Sequence, residues 1–203
     1  GYSPDASARK FSVGAGGNHE RASAVRYVAE SAKDQISATT GGVALQDTGD
    51  VLREVAFEMA ASSVRFGAGA TREVGMDLVE LGVRRALVVT DSNLTRLAPV
   101  QTVLTALDAA GVEAVLYDRV RVEPTDVSFQ DAIHFAAAHP VTGIVAVGGG
   151  SVIDTAKAVN LYTCYPPTDF LDYVNAPIGK AMPVPGPLKP LIAVPTTAGT
   201  GSE

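Results

Sequence analysis

The chain has 203 residues, 46% hydrophobic and 19% charged, with a net charge of −6, enough apolar content for one good core and part of a second. The acidic balance and the lack of a basic run argue against a nucleic-acid surface. No apolar run approaches the roughly 18 residues that span a bilayer, so a membrane partner is not expected either.

Residues 1 to about 50 are rich in Ser, Ala, Gly and Thr, carry scattered charges of both signs and show no sustained apolar face. They read as a disordered leader, and Arg9, Lys10, Arg21 and Arg26 among serines resemble a mitochondrial presequence diluted by Asp5, Glu20 and Glu30. From Val51 the character changes, and residues 51–203 read as one α/β domain. Phe57 to Phe66 leads into Gly67-Ala-Gly-Ala70, and Thr71 to Leu81 predicts an amphipathic helix stopped by Gly82. Arg85-Ala-Leu-Val-Val-Thr90 is an apolar strand ending in Asp91, followed by a helix from Pro99 to Ala110 that Gly111 closes. Val112 to Tyr117 is the next strand. Asp126 or Ser128 is available to cap a helix running through Ala138. Strand alternating with helix at these spacings predicts a parallel sheet with flanking helices and right-handed crossovers, a Rossmann-like arrangement.

Gly143-Ile-Val-Ala-Val-Gly-Gly-Gly-Ser151 is the stretch around which the rest is arranged. Ile144, Val145 and Val147 are β-branched, as a buried parallel strand requires. Gly148, Gly149 and Gly150 lack a Cβ, so their amides can approach a bulky anion and adopt φ angles that other residues avoid. Ser151 is a natural N-cap, and Asp154 lies three residues on, where it can help satisfy orphan amides. A helix starting this way offers free N–H groups and the positive end of its dipole to phosphate. Lys157, one turn after Asp154, serves either as a surface ion pair or as a cation close to a ligand. Glycines after a strand also occur where nothing binds, so the run alone points to a phosphate loop without naming the nucleotide. No Gly-Lys-Ser or Gly-Lys-Thr follows, which counts against a kinase-type P-loop.

Cys164 is the single cysteine; it excludes an internal disulfide and suits a reducing compartment. No histidine neighbours it in sequence, and a nucleophilic role is not expected. Pro166 to Pro190 holds seven prolines and can be neither one helix nor a central strand, with only Asp169 to Tyr173 reading as a helical turn. Leu191 to Val194 supplies one more strand, and Pro195-Thr-Thr-Ala-Gly-Thr-Gly-Ser-Glu203 closes the chain with a loop rich in hydroxyls. Both ends of the sequence read as cut.

Ligands in doubly wound sheets sit beyond the carboxyl ends of the strands. Asp91, Gly148 to Ser151, and Thr196, Thr197 and Thr200 all fall on that edge. Asp91 can accept from a ribose 2′-OH and its charge disfavours a 2′-phosphate, or it is a plain turn residue. The three threonines can donate to a phosphate or base, or simply line a solvated loop. His134 and His139 read as a surface residue and a helix C-terminal cation, and His19 lies in the leader.

Gly148-Gly-Gly-Ser-x-x-Asp154-x-x-Lys157 followed by Pro195-Thr-Thr-Ala-Gly-Thr-Gly-Ser-Glu203 resembles, in order, the two cofactor-domain signatures of the iron-containing, group III alcohol dehydrogenase family. Phe57-Glu-Met-Ala60, Arg65-Phe-Gly67, Glu73 to Leu78, Tyr117 to Asp126, Asp169 to Val174, Ala176 to Lys180 and Pro187 to Pro195 are most similar to its hydroxyacid-oxoacid transhydrogenase branch. The likeness covers about residues 56 to 203.

The resemblance implies a dinucleotide-binding domain joined to a C-terminal helical domain that carries the catalytic metal. Gly148 to Ser151 would hold the pyrophosphate, Asp91 the adenosine ribose, and the Thr196 to Thr200 loop the adenine or nicotinamide end. Asp154 and Lys157 would lie close to the reacting centre. The implied cofactors are NAD(H) or NADP(H), tightly bound, and Fe2+ or another divalent metal in the longer protein. That branch moves hydride from 4-hydroxybutyrate to 2-oxoglutarate, giving succinate semialdehyde and 2-hydroxyglutarate, with a bound nicotinamide serving both substrates in turn. An ordinary NAD-dependent alcohol dehydrogenase or lactaldehyde reductase, or a nucleotide-binding module without catalysis, are the competing readings. The family's metal ligands, one Asp and three His, fall beyond Glu203, and none of the three histidines here matches them. These residues alone are therefore expected to bind cofactor without turnover. The expected location is mitochondrial, or cytoplasmic for a bacterial protein, and a homo-oligomer stays open.

Overall fold

A computed structural model describes residues 24–28 and 63–198. The elements run β1 (Ala24–Val28), β2 (Ser63–Phe66), a short 3-10 turn (Ala70–Glu73), α1 (Val74–Glu80), β3 (Arg85–Val89), α2 (Ala98–Ala109), β4 (Glu113–Tyr117), α3 (Asp126–Ala138), β5 (Gly143–Gly148), α4 (Gly150–Cys164) and β6 (Leu191–Pro195). All six strands pair in parallel in the order β2-β1-β6-β5-β3-β4. This is the Rossmann-like parallel sheet expected from the sequence. One element was not expected: β1 falls within the stretch read as leader and lies between β2 and β6.

The core explains the apolar runs. β5 is buried along its whole length and β3 from Ala86 onward, as strands covered on both faces must be. Leu78, Val88, Val100, Leu107, Val145 and Ile192 gather on the α1 and α2 side of the sheet. Leu87, Val89, Ile144, Ala146, Ile153 and Val159 gather on the α3 and α4 side. Helices therefore cover both faces.

The glycine stops behave as predicted. Gly82 and Gly111 have φ of +75° and +70°, so each takes the left-handed turn that lets the next residue's amide reach back. Val83 N donates to Leu78 O at 2.8 Å, and Val112 N to Leu107 O at 2.9 Å.

Three local expectations need correction. The segment read as one helix from Thr71 begins as a 3-10 turn and becomes α-helical only at Val74. The cap of α3 is Thr125 rather than Asp126 or Ser128. Thr125 Oγ1 accepts from Ser128 N at 3.3 Å while Ser128 Oγ accepts from Thr125 N at 2.8 Å, a reciprocal box in which Ser128 is the third helical residue. The cap of α4 is Gly149 rather than Ser151.

Between α4 and β6 the proline-rich chain forms neither helix nor strand, as its composition demands. It is pinned to the end of α4 at the amino edge of the sheet. Buried Asn160 donates through Nδ2 to Lys189 O at 2.8 Å and accepts at Oδ1 from Lys189 N at 3.2 Å. Tyr162 donates its hydroxyl to Phe170 O at 2.6 Å, and burial pushes that phenol up to about 12. Lys180 donates to Asp172 Oδ1 at 2.6 Å and holds that carboxyl below the usual carboxylate range.

Candidate functional site

Strand order locates the site. From β3 the chain moves outward to β4, then returns to place β5 on the other side of β3. Helix α2 covers one face and α3 and α4 the other, so the carboxyl ends of β3 and β5 flank the switch point where open α/β sheets form a crevice.

On the β3 side, Thr90 is fully buried and Asp91 half-buried. Asp91 Oδ1 accepts from Asn93 N at 2.8 Å and Leu94 N at 3.1 Å, closing a local turn. The turn role weighed for Asp91 is thus realised, and it occupies one carboxylate oxygen. At the tip of β4, Asp118 Oδ2 accepts from Thr95 Oγ1 at 3.5 Å, so a second carboxylate stands nearby on the same rim.

On the β5 side the strand runs straight into α4. Gly149 caps the helix with φ −80° and ψ −170°, and no side chain among the described residues caps it. Ser151 is the second helical residue, and its carbonyl accepts from Thr155 Oγ1 at 2.7 Å. The extended backbone at Gly149 ends the strand and opens the helix within one residue, leaving no room for Ser151 to stand outside the first turn. Because glycine offers no side-chain acceptor, the amides of Gly150 and Ser151 receive neither a helical carbonyl nor a cap among the described residues. Asp154 then lies beyond the first turn, with Lys157 one turn further along α4, both half-buried.

The glycines serve space rather than unusual φ. Neither Gly148 nor Gly149 is left-handed. A Cβ on Gly148 would sit 2.5 Å from Val152 Cγ2, and one on Gly149 would sit 3.0 Å from Thr197 Oγ1. The second distance puts the Thr197 hydroxyl directly over the turn. Register does the rest: Gly148 pairs with Pro195, and Thr196 N donates to Gly148 O at 3.0 Å. Thr196 and Thr197 therefore flank Gly148 and Gly149, while Asp91 follows the neighbouring strand tip. Thr200 lies outside the described residues.

Two residues at this edge escaped the sequence reading. Thr90 reads in the sequence as the plain end of a strand, although a polar residue closing an apolar run is a usable signal. Val152, which fills the space left by Gly148, carries no such signal. Neither described histidine plays a part here: His134 is exposed on α3, and His139 caps that helix with Nδ1 2.7 Å from Phe135 O. Cys164 lies at the far end of α4 with its thiol 3.5 Å from Asn160 Oδ1. Among the described residues no group of three or more His, Cys, Asp or Glu side chains converges to hold a metal. No described helix is long and apolar enough to cross a membrane.

Sheet order, crossovers and the strand-turn-helix at the carboxyl edge define an α/β domain of the Rossmann-like class. The family profile described as "Iron-containing alcohol dehydrogenase" matches residues 61–203, and the chain belongs to that family. Over 150 residues it is 60% identical to rat "Hydroxyacid-oxoacid transhydrogenase, mitochondrial" and 57% identical to the human protein of that name. In both cases 74% of this chain and 32% of the relative are covered, so the chain spans about a third of the length of these curated relatives. Among solved structures it is similar to a 1,3-propanediol oxidoreductase, with TM-score 0.61 and 34% identity over 68% of this chain and 35% of that one. It is also similar to NADH-dependent butanol dehydrogenase A from Thermotoga maritima, with TM-score 0.59 and 29% identity over 67% of this chain and 33% of that one.

Proposed function

We propose that this chain is the dinucleotide-binding part of a hydroxyacid-oxoacid transhydrogenase. The protein would move hydride from 4-hydroxybutyrate to 2-oxoglutarate, giving succinate semialdehyde and 2-hydroxyglutarate. The observation that carries the reading is the gathering of Asp91, the Gly148 to Ser151 turn and Thr197 at one sheet edge, in a chain 60% identical to proteins named for that activity. A mitochondrial location follows from the same likeness, since those relatives are named mitochondrial.

The residues fit a dinucleotide. A diphosphate needs hydrogen-bond donors and room for close approach. The uncapped start of α4 supplies amides at Gly150 and Ser151, and Gly149 leaves a cradle that a Cβ would narrow against Thr197. Thr196 and Thr197 add hydroxyl donors. Asp91 has a second carboxylate oxygen for a ribose hydroxyl, and its charge favours NAD(H) over NADP(H). Asp154 and Lys157, one turn apart on the helix that starts at the diphosphate site, would lie close to the reacting centre, as the family resemblance implies. A bound nicotinamide would supply the hydride acceptor and donor, and the residues of this turn and Asp91 would hold it.

The described residues do not fit the iron, because no ligand set converges. In the proposed enzyme the metal belongs to residues outside the described part. Incubating the full-length protein with 4-hydroxybutyrate, with and without 2-oxoglutarate, tests the proposal. Succinate semialdehyde formed in step with 2-hydroxyglutarate, without free NAD+, supports it. Formation that needs free NAD+ and ignores 2-oxoglutarate indicates an ordinary alcohol dehydrogenase. The 203-residue chain alone is expected to bind NAD(H) and show no turnover.

A further inference from the structure

Neighbouring carbonyls along a parallel strand point to opposite partners. At the end of β5 the carbonyl of Gly148 turns to β6, where it accepts from Thr196 N at 3.0 Å. The carbonyl of Val147 turns the other way, toward β3. The paired register of β3 with β5 ends at Val89 and Ala146, one residue short of it. The partner it receives is a side chain: Thr90 Oγ1 donates to Val147 O at 2.9 Å in a fully buried contact. Thr90 is held by its own backbone from the far side, with Thr90 N donating to Tyr117 O at 2.9 Å and Val120 N donating to Thr90 O at 3.3 Å.

We infer that Thr90 is a positioning residue for the glycine turn, its hydroxyl replacing the missing rung between β3 and β5 at the switch point. The inference rests on the nucleotide reading above and deepens it. Val147 O belongs to the peptide group that enters Gly148, and Gly148 and Gly149 carry that orientation directly into the first turn of α4. With the hydroxyl in place, the Val147 carbonyl is fixed from the β3 side and the Gly148 carbonyl from the β6 side. The turn is then clamped between two strands before any ligand arrives. Such preorganisation lowers the ordering cost of binding at the turn itself. It does nothing for an adenosine moiety lying further along the rim.

The test uses the full chain and compares ADP, which reaches the diphosphate site, with adenosine, which does not. Thr90→Val preserves shape and removes the hydroxyl. It is expected to weaken ADP about tenfold, the effect of one lost buried hydrogen bond, while leaving adenosine within about twofold. Thr90→Ser retains the donor and should bind ADP within about twofold of the wild type, and it stands as the test if the valine variant does not fold. The inference is overturned if Thr90→Val binds ADP like the wild type, if it loses ADP and adenosine equally, or if Thr90→Ser loses ADP tenfold. A wild-type chain that binds neither ADP nor NAD+ sinks the nucleotide reading and this inference with it. Wild-type binding with an indifferent Thr90→Val sinks this inference alone.

Discussion

Gly148→Ala tests the fold and the site in one change. The new Cβ would sit 2.5 Å from Val152 Cγ2 and 2.8 Å from Val152 Cβ, well inside ordinary contact. Val152 is 2% exposed under the first turn of α4 and cannot swing into solvent. Relief therefore requires the strand end and the helix start to part by roughly 1 Å, because close-packed interiors transmit such strain rather than absorb it. Overpacking of this kind costs roughly 1–3 kcal/mol of stability. The amides of Gly150 and Ser151 move with the helix, and a hydrogen bond near 2.9 Å stretched by roughly 1 Å is lost. One charge-assisted bond is worth about 1.5–3 kcal/mol, so NAD+ affinity should fall at least about tenfold. Calorimetric titration with NAD+ and a urea midpoint measure the two effects separately. Val152→Ala removes the Cγ atoms responsible for the closest approach, so it should restore part of both losses, with a coupling of at least about 0.5 kcal/mol. Gly148→Ala with wild-type affinity and midpoint, or a strictly additive double mutant, would refute this reasoning.

Asp91→Asn keeps an oxygen acceptor for the Asn93 and Leu94 amides and removes only the charge. It should leave the midpoint within about 0.5 kcal/mol and narrow the preference for NAD+ over NADP+, read from paired titrations. Asn160→Leu strands the Lys189 amide and carbonyl, and should cost about 2 kcal/mol with faster proteolysis of residues 166–190. Asp172 titrates below its ordinary 3.8 because Lys180 and the Asp169 amide favour its charged form. Its stabilising contribution is therefore complete above that ordinary value and is lost as pH falls through the lower folded value. Lys180→Met should flatten this acid limb in urea midpoints taken from neutral pH down to about 2, while leaving the neutral-side slope unchanged.

Much of the architecture was legible because it follows from periodicities that reach only a few residues. Short apolar runs, such as Ala86 to Val89 and the glycine-bounded Ile144 to Val147, can lie only in a sheet covered on both faces. Gly82 and Gly111 announced helix ends because a left-handed residue is needed there and few others adopt it. The strand at Ala24–Val28 gave no such notice. Five residues without flanking turn signals, set among small polar residues, do not stand out from a leader.

Helix starts were harder, and the reason bears on the site. Thr125 and Ser128 are both competent caps, and only the position of the first turn decides which of them stands outside the helix. At α4 the same ambiguity favoured Ser151 on composition, yet the helix opens at Gly149. Composition rewards the residue that would satisfy the orphan amides from within the chain. A helix whose first amides are reserved for an anion is better served by a cap that leaves them open. The misreading at Ser151 and the proposed diphosphate site thus share one cause: local stability was forgone where a ligand would supply the missing acceptors.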